Sequence, residues 1–359
     1  MYQTLEMYGL SEQFKSEAIQ YPNLYISRVS EQHRDLYKVI GENGVMSAVV
    51  SGKLYYSATG QSTFPVVGDF VMVDRQSADS ENAVIHDILS RKSIFVRQAA
   101  GTSNEQQVVA SNIDTLFLCM SLNADFNLRR MERYLTIAWS SQATPVIVLT
   151  KSDLCHDLDA RLSELSAIAM GANVIVCSSV NSDGLDSINK YNLPGQTIAF
   201  VGSSGVGKST LINRLMGKEV LMTQAIRSDD DKGRHTTTHR QLVLVPGGAI
   251  VIDTPGMREL SLYIGDASKS FEDIEELARQ CKYNNCSHLS EPNCAVKQAI
   301  ISGALSEKRF NNYQKIEREI SYSGLNARQL ENEKINRMFG GKSEMKQAFR
   351  DIKKRKHKH

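Results

Sequence analysis

The sequence predicts a multidomain α/β protein, and three changes of composition along the chain carry this prediction. Short β-type runs fill residues 24–98, apolar strands alternate with helical stretches after Gly101, and a helical region with the densest cysteine cluster follows Asp266. A chain of 359 residues has room for two or three domains of ordinary size. We divide it into an N-terminal extension, a β-barrel domain, a central α/β domain, a helical metal-binding domain and a basic tail, over residues 1–23, 24–100, 101–262, 263–345 and 346–359.

Composition and charge narrow the class of protein. Hydrophobic residues make up 41% and charged residues 23% of the chain, which excludes disordered and fibrous classes. The 42 Lys and Arg nearly balance the 40 Asp and Glu, so any nucleic-acid-binding surface must be local. The chain begins without the apolar core of a secretory signal, and no apolar run approaches the roughly 18 residues that span a bilayer, so we expect a soluble cytoplasmic protein without membrane contact. The six cysteines then favour reduced thiols or a metal over disulfides.

The N-terminal β-rich region predicts a small closed barrel. Five short runs are separated by Gly, Asn and Ser, at residues 35–40, 45–50, 69–74, 83–88 and 93–97. The segment 41-GENG-44 has the length and chemistry of a hairpin turn between the first two runs. The OB-fold is the commonest five-stranded barrel of this size, and OB barrels often bind nucleic acid. A barrel that serves only for packing or docking is the alternative.

The central region predicts a mainly parallel sheet covered by helices on both faces. Helical stretches, such as 128–141 and 158–170, lie between most of the apolar strand runs. Those runs are at 113–120, 145–150, 173–177, 197–201, 242–245 and 249–253.

A phosphate-binding loop follows the strand 197-TIAFV-201. The segment 202-GSSGVGKS-209 fits the pattern G-x-x-x-x-G-K-[ST] and is followed by a helical run, as the pattern requires. Its glycines let backbone N–H groups turn inward around phosphates, Lys208 adds charge at the β and γ oxygens, and the Ser209 hydroxyl binds Mg²⁺. A glycine-rich turn without nucleotide is the alternative. The predicted contacts to nucleotide come from Gly202, Ser203, Ser204, Gly205, Val206, Gly207, Lys208, Ser209 and Thr210.

Two further segments predict that the nucleotide is a guanine nucleotide. The segment 150-TKSD-153 resembles the N-K-x-D motif of GTPases, whose Asp accepts hydrogen bonds from guanine N1–H and the exocyclic amine. Here Thr150 replaces Asn, so Asp153 and the stem of Lys151 carry most of the recognition, with Ser152 between them. A four-residue match can also arise by chance. Ser178 and Ser179 open the second segment, 178-SSVNSDG-184, whose backbone would reach guanine O6.

The residues that sense the γ-phosphate are predicted after the phosphate loop. The segment 253-DTPG-256 matches D-x-x-G, in which Asp253 holds the Mg²⁺ shell through water and the Gly256 N–H contacts the γ-phosphate. The polar segment 233-GRHTTTH-239 offers Thr237 or Thr238 as a further Mg²⁺ ligand. Ras-type enzymes place a water-orienting Gln directly after D-x-x-G, whereas this chain has Met257. His235 is therefore our candidate for that catalytic role, and a solvated loop is the alternative for the segment.

The order of these motifs predicts a circular permutation. Ras-like GTPases run from phosphate loop to D-x-x-G and then to N-K-x-D, whereas here the T-K-S-D segment comes first. The cut falls just after D-x-x-G, and such cuts are tolerated because the ends of a compact domain are often close. The residues after Met257 then lead directly into the C-terminal region, so movement at D-x-x-G could pull on it.

The C-terminal cysteine cluster predicts a zinc site. Cys281, Cys286, His288 and Cys294 follow the spacing C-x4-C-x-H-x5-C. Three thiolates and one imidazole can close a tetrahedral shell around one structural Zn²⁺. A reduced cysteine-rich loop is the alternative. Cys119 and Cys177 lie in strand runs and are predicted core residues, and Cys155 is predicted in a loop.

The motifs together resemble the ribosome small-subunit-dependent GTPase A family of circularly permuted bacterial GTPases, over about residues 24–340. The resemblance implies GTP hydrolysis in late maturation of the 30S subunit, with barrel and zinc domain on 16S rRNA and hydrolysis timing release. It also implies a cytoplasmic monomer. The tail 353-KKRKHKH-359 fits an RNA-contacting extension or a solubilising one. The alternative function is a GTP-dependent switch that binds another RNA or a protein.

Overall fold

We describe the chain from a computed structural model. It describes residues 5–33, 35–57, 63–78, 81–98, 106–181, 183–217, 240–253, 266–289, 291–322, 325 and 327–356. Asp253 is described by its backbone alone. Several predicted residues and the end of the basic tail lie outside these ranges, namely His235, Thr237, Thr238, Gly256 and residues 357–359.

The N-terminal strands form the predicted closed barrel. The strands lie in the order β1-β2-β3-β5-β4, and pairing of β1 with β4 closes the circle. All pairs are antiparallel except β3 with β5. The predicted hairpin turn is confirmed, since Gly41 pairs with Gly44 across two turn residues. The bounds are β1 Tyr25–Gln32, β2 Tyr37–Gly41, β3 Gly44–Val50, β4 Phe70–Val73 and β5 Ala83–Ile88, with helix α1 at Glu12–Ala18 before the barrel and α2 at Gly52–Ser57 after β3.

One barrel strand differs from the sequence prediction. The first strand is β1, which lies before the predicted runs and buries Ser27, Arg28 and Ser30. These buried polar residues hide the apolar alternation by which a strand is recognised. The run at 93–97 instead forms β6, Ile94–Gln98, which pairs with β7, Gln106–Ser111, in a separate two-stranded hairpin.

The central region forms a six-stranded sheet of the predicted kind. Its order is β10-β9-β8-β11-β13-β12, and all neighbours are parallel except β12 with β13. The strands are β8 Thr115–Ser121, β9 Thr144–Thr150, β10 Asn173–Val176, β11 Thr197–Gly202, β12 Arg240–Leu244 and β13 Ile250–Asp253. The helices are α3 Leu128–Ser140, α4 Leu158–Ser166, α5 Leu185–Asn189 and α6 Lys208–Met216.

Alternate residues of the central strands pack on opposite faces of the sheet. Leu116 and Leu118 of β8 join a core with Met131 of α3, whereas Phe117 joins a second core with Leu211 of α6. Helices therefore cover both faces, as the sequence predicts. The parallel register brings the carboxyl ends of β8, β9 and β11 to one edge, which is where ligands bind in open α/β sheets.

A buried arginine joins the barrel to the central sheet. Arg28 of β1 is 1% exposed and donates to the Thr197 hydroxyl at 2.9 Å, to the Gly68 carbonyl at 3.2 Å and to the Tyr8 carbonyl. Burial lowers the pKa of Arg28, but only to about 10. The guanidinium is therefore still charged at neutral pH. Strand β1 also pairs antiparallel with β12, so the barrel and the central sheet share one continuous set of strands. The start of β11 is thereby fixed to the barrel.

The C-terminal region is helical, as predicted, and it docks on α3 through buried charges. Arg309 is 9% exposed and pairs with Glu132 of α3 at 2.5 Å and with Asp273 at 2.7 Å. Such a buried pair tolerates little displacement, because losing one partner leaves an uncompensated charge. None of the helices described is long and apolar enough to cross a bilayer. The helices are α7 Glu272–Arg279, α8 Ala295–Ile301, α9 Glu307–Tyr322, α10 Ala327–Phe339 and α11 Lys342–Lys356.

Candidate nucleotide and metal sites

The phosphate loop, residues 202–209, curls between the end of β11 and the start of α6. A Cβ at Gly202 would lie 2.5 Å from the Cys119 carbonyl oxygen, so this position requires glycine. Gly205 and Gly207 have φ values of +75° and +105°, which turn the backbone into the loop. Lys208 Nζ donates to the carbonyl oxygens of Gly202 and Ser203, each at 2.6 Å. The loop thus combines a helix N-terminus with a held ammonium group, which is the chemistry of a phosphate site.

A second set of side chains holds the phosphate loop from outside. Ser203 Oγ donates to Asp125 Oδ2 at 2.6 Å, and Asp125 Oδ1 pairs with Arg130 Nη1 at 2.7 Å. Partial burial raises the pKa of Asp125, but the bonds from Ser203 and Arg130 outweigh it and hold the pKa below its ordinary value. Asp125 belongs to none of the sequence motifs. The available signal was its place just beyond the carboxyl end of β8, the strand next to the one that ends in the phosphate loop.

Thr150 links the T-K-S-D segment to the phosphate loop. It is the last residue of β9, is 5% exposed, and donates from Oγ1 to the Val206 carbonyl at 2.6 Å. The next residue, Lys151, has φ +57°, so the chain turns sharply here and Asp153 faces outward. The hydroxyl that replaces the expected Asn therefore has a defined partner in the loop.

The two segments predicted to read guanine meet at one hydrogen bond. Ser178 Oγ donates to Asp153 Oδ1 at 2.5 Å and accepts from the Val180 N–H at 3.1 Å. Ser178 is fully buried, so its hydroxyl orientation is fixed by these partners. Gly184 closes the serine segment with φ +72°, and a Cβ there would meet the Val176 carbonyl. Asp153 is thus pre-oriented by the neighbouring loop.

The remaining predicted nucleotide contacts lie around this edge. Ser209 and Thr210 are half-buried in the first turn of α6, Ser204 is exposed in the loop, and Ser152 and Ser179 are half-buried beside Asp153 and Ser178. Asp253 ends β13, whose residue Ile252 pairs with Ala199 of β11. The structure therefore brings the phosphate loop, the T-K-S-D segment and the serine segment to one edge, with the backbone of Asp253 at the end of the adjoining strand.

The four predicted zinc ligands are close enough to share one ion. Cys281 Sγ lies 3.8 Å from Cys294 Sγ and 3.6 Å from His288 Nδ1, and His288 Nδ1 lies 3.4 Å from Cys294 Sγ. The four ligand atoms, including that of Cys286, all lie within 4.8 Å of one another. Ligands at the ~2.3 Å Zn–S and ~2.0 Å Zn–N distances of a tetrahedral site are about 3.5–3.8 Å apart. The cluster therefore fits a zinc-sized ion.

Helix α8 positions two of these ligands. Cys294 is its N-cap, and its Sγ accepts from the Lys297 N–H at 3.4 Å. Burial opposes ionisation of Cys281, but backbone N–H groups of Val296 and Ala295 outweigh it and hold its pKa below the ordinary value. A lowered thiol pKa favours the thiolate, which is the form that binds metal. Cys119 and Cys177 are buried, as predicted for core residues, and Cys155 lies in a half-buried loop.

These features define a circularly permuted P-loop GTPase joined to an OB-type barrel and to a helical domain whose Cys₃His cluster could hold a metal ion. Residues 88–263 match the family model that is described as RsgA GTPase. The small ribosomal subunit biogenesis GTPase RsgA 2 of Lactiplantibacillus plantarum is 52% identical over 351 residues, which are 98% of this chain and 98% of that protein. The chain belongs to the RsgA GTPase family, and it is a GTPase.

Two solved structures have the same fold. YjeQ from Thermotoga maritima aligns with a TM-score of 0.61 and 25% identity, over 83% of this chain and 98% of that one. YloQ, described as a circularly permuted GTPase, aligns with a TM-score of 0.58 and 24% identity, over 84% of this chain and 96% of that one. The sheet order and the motif order agree with this architecture.

Replacing Thr150 by Val is expected to weaken GDP and GTP binding about tenfold, because an unpaired buried carbonyl costs about 1–3 kcal/mol. The Val206 carbonyl would lose the hydroxyl that fixes it, so the loop would have to be ordered during binding. Titration with a fluorescent guanine nucleotide measures the effect. Thr150→Ser keeps the hydroxyl and is the control, and equal affinity of Thr150→Val and wild type would contradict the role of this bond.

Proposed function

We propose that this GTPase acts in late maturation of the small (30S) ribosomal subunit, binds its 16S rRNA, and is released when GTP is hydrolysed. The observation that carries the proposal is similarity over nearly the whole chain, at 52% identity, to a protein named small ribosomal subunit biogenesis GTPase. The barrel and the helical domain with its Cys₃His cluster, which are joined to the GTPase domain in this chain, support it as surfaces available for RNA. We further propose that the protein works as a cytoplasmic monomer.

In this proposal the phosphate loop and the T-K-S-D segment hold GTP together. Backbone N–H groups of residues 202–210 surround the phosphates, and Lys208 donates to the β and γ oxygens. Asp153 accepts from guanine N1–H and the exocyclic amine, oriented by its bond from Ser178. The Lys151 stem packs along the base, and Thr150 keeps the two segments together. Adenine lacks this donor pair, so it would leave the Asp153 carboxylate unpaired.

Hydroxyl and carboxylate oxygens are the ligands that a hard cation prefers, and they supply the proposed Mg²⁺ site. Ser209 provides a hydroxyl in the first turn of α6, and we assign Thr237 or Thr238 and Asp253 as its partners. Bound Mg²⁺ neutralises charge on the β and γ oxygens. The Gly256 N–H contacts the γ-phosphate, and His235 orients the attacking water in place of the Gln that Met257 replaces.

The Cys₃His cluster is proposed to hold one structural Zn²⁺. Four protein ligands close the coordination shell, which leaves no position for a substrate and makes a catalytic role unsuitable. The barrel, the zinc domain and the basic tail are the proposed rRNA contacts. We propose the same domain bounds, in which residues 24–100 contain the barrel strands β1–β5 and the hairpin strand β6, and residues 263–345 form the zinc domain.

Purified 30S subunits are expected to stimulate GTP turnover at least about tenfold, because the chain lacks the water-orienting Gln of Ras-type enzymes. The residue His235 is expected to carry most of this gain, so His235→Ala should lose it while keeping GTP affinity. Single-turnover hydrolysis with and without subunits measures both effects. Co-sedimentation with 30S subunits in a GTP analogue and in GDP tests the partner directly.

The nearby His239→Ala, in the same polar segment, is the matched control for His235→Ala. An unchanged stimulated rate in His235→Ala would dismiss that residue. Absence of both co-sedimentation and stimulation would reject the ribosomal role and favour a GTP-dependent switch for another RNA or protein.

A further inference from the structure

We propose that Asp125 is a positioning residue for the phosphate loop, and that it acts through Ser203 to fix the place of Lys208. The inference rests on the proposed nucleotide site and adds a residue outside its sequence motifs. Asp125 lies 78 positions before its partner Ser203, so only the folded chain brings the two together.

Ser203 is held from two sides. Its hydroxyl donates to Asp125 at 2.6 Å, and its carbonyl accepts from Lys208 Nζ, also at 2.6 Å. Fixing the side chain of a residue restricts rotation of the peptide that follows it. Asp125 therefore restrains the carbonyl that holds the lysine ammonium at the mouth of the loop.

Asp125 is itself fixed by its neighbours. Its carboxylate pairs with Arg130 at 2.7 Å, and its backbone N–H donates to Asn123 Oδ1 at 3.0 Å. Asn123 Oδ1 also accepts from the Ser121 hydroxyl at 2.8 Å, at the end of β8. Arg130 lies in the first turn of α3, whose N-cap Asn127 accepts from the Arg130 N–H at 3.1 Å. The carboxylate is thus anchored to a strand end and to a helix start, both of them rigid elements.

The arrangement also explains why a carboxylate can stand beside a site for anions. Asp125 is paired with Arg130, and the charge of Lys151 also favours its ionised form, so its negative charge is offset by two cations. Asp125 lies outside the loop and touches it through a hydroxyl. It therefore orders the loop without facing the phosphates, which is the arrangement of a supporting residue rather than a ligand.

The test is a double-variant comparison of phosphate-dependent binding. Asp125→Ala removes the acceptor and Ser203→Ala removes the donor, and each is expected to weaken GDP and GTP binding about tenfold, because a charged hydrogen bond is lost. The double variant should be within about twofold of the weaker single variant, because both changes remove the same bond. Guanosine binding should not change, because the base is read at the T-K-S-D segment.

Glu12→Gln is the matched control, since it neutralises an exposed carboxylate that pairs with Lys15 at 2.8 Å on the N-terminal helix. Asp125→Glu tests rescue by a conservative change, and thermal denaturation checks that every variant folds. Additive losses, an equal loss for guanosine, or wild-type affinity in Ser203→Ala would overturn the role of Asp125. If the wild type bound GDP and GTP no better than guanosine, the proposed nucleotide site would fall, and this inference with it.

Discussion

Replacing Asp153 by Asn is expected to change the preferred nucleotide from guanine to xanthine. In the structure Asp153 Oδ1 accepts from Ser178, and Oδ2 accepts no hydrogen bond from the described residues, so it is suited to meet a base. With Asn, the amide oxygen can still accept from Ser178 while the amide NH₂ donates to the extra carbonyl oxygen of xanthine. In the wild type we expect guanine to be preferred over adenine by at least ~100-fold, because adenine would leave the Asp153 carboxylate unpaired.

Competition of GTP, XTP and ATP against a fluorescent guanine nucleotide measures this change. Asp159→Asn, an exposed position of α4, is the matched control and should retain wild-type selectivity. Equal competition by ATP and GTP in the wild type would refute guanine recognition by Asp153.

Removal of one ligand of the Cys₃His cluster is expected to release the zinc ion that we propose it holds, and to loosen the C-terminal domain. The change Cys286→Ser takes away one thiolate of the four ligand atoms that lie within 4.8 Å. Structural zinc contributes about 10–16 kcal/mol of apparent binding free energy in small zinc domains, so its loss should melt the local fold. Guanine nucleotide affinity should change little, because the nucleotide site is built from other residues.

Metal analysis of protein prepared without added zinc is the measurement, with one ion per chain expected in the wild type. Cys155→Ser removes a half-buried thiol outside the cluster and is the control. Thermal denaturation is followed by the helical signal in far-UV circular dichroism. Only Cys286→Ser should show an additional transition at a temperature below that of the wild type. A wild-type protein that is free of metal and fully folded would contradict the site.

Features encoded in short segments could be predicted from the sequence. The phosphate loop, the T-K-S-D segment and the C-x4-C-x-H-x5-C spacing each combine their chemistry within about fifteen residues, so local pattern and chemistry suffice to find them. The alternation of strands and helices likewise predicted the parallel sheet, because periodicity reports burial on both faces.

Features that depend on distant contacts could not be predicted in this way. Strand β1 could not be predicted, because the partners that allow Arg28 to be buried in it lie up to 169 positions away, such as Thr197. Asp125 has no motif, and its contact with Ser203 spans 78 positions. The partner of the Thr150 hydroxyl could not be predicted either, because the Val206 carbonyl that accepts from it lies 56 positions away. Long-range pairing decided each of these.

The pairing of β1 with β12 has a consequence for solubility during folding. Strand β12 is the last strand of the central sheet on one side, and an uncovered strand of this kind offers free N–H and C=O groups to other chains. Pairing of Glu31 with Gln241 and of Gln32 with Arg240 covers part of that edge with the barrel. The barrel itself closes on β1 and β4 and leaves little open edge of its own. Pairing with the N-terminal domain therefore shortens the strand edge through which the GTPase sheet could pair with other chains.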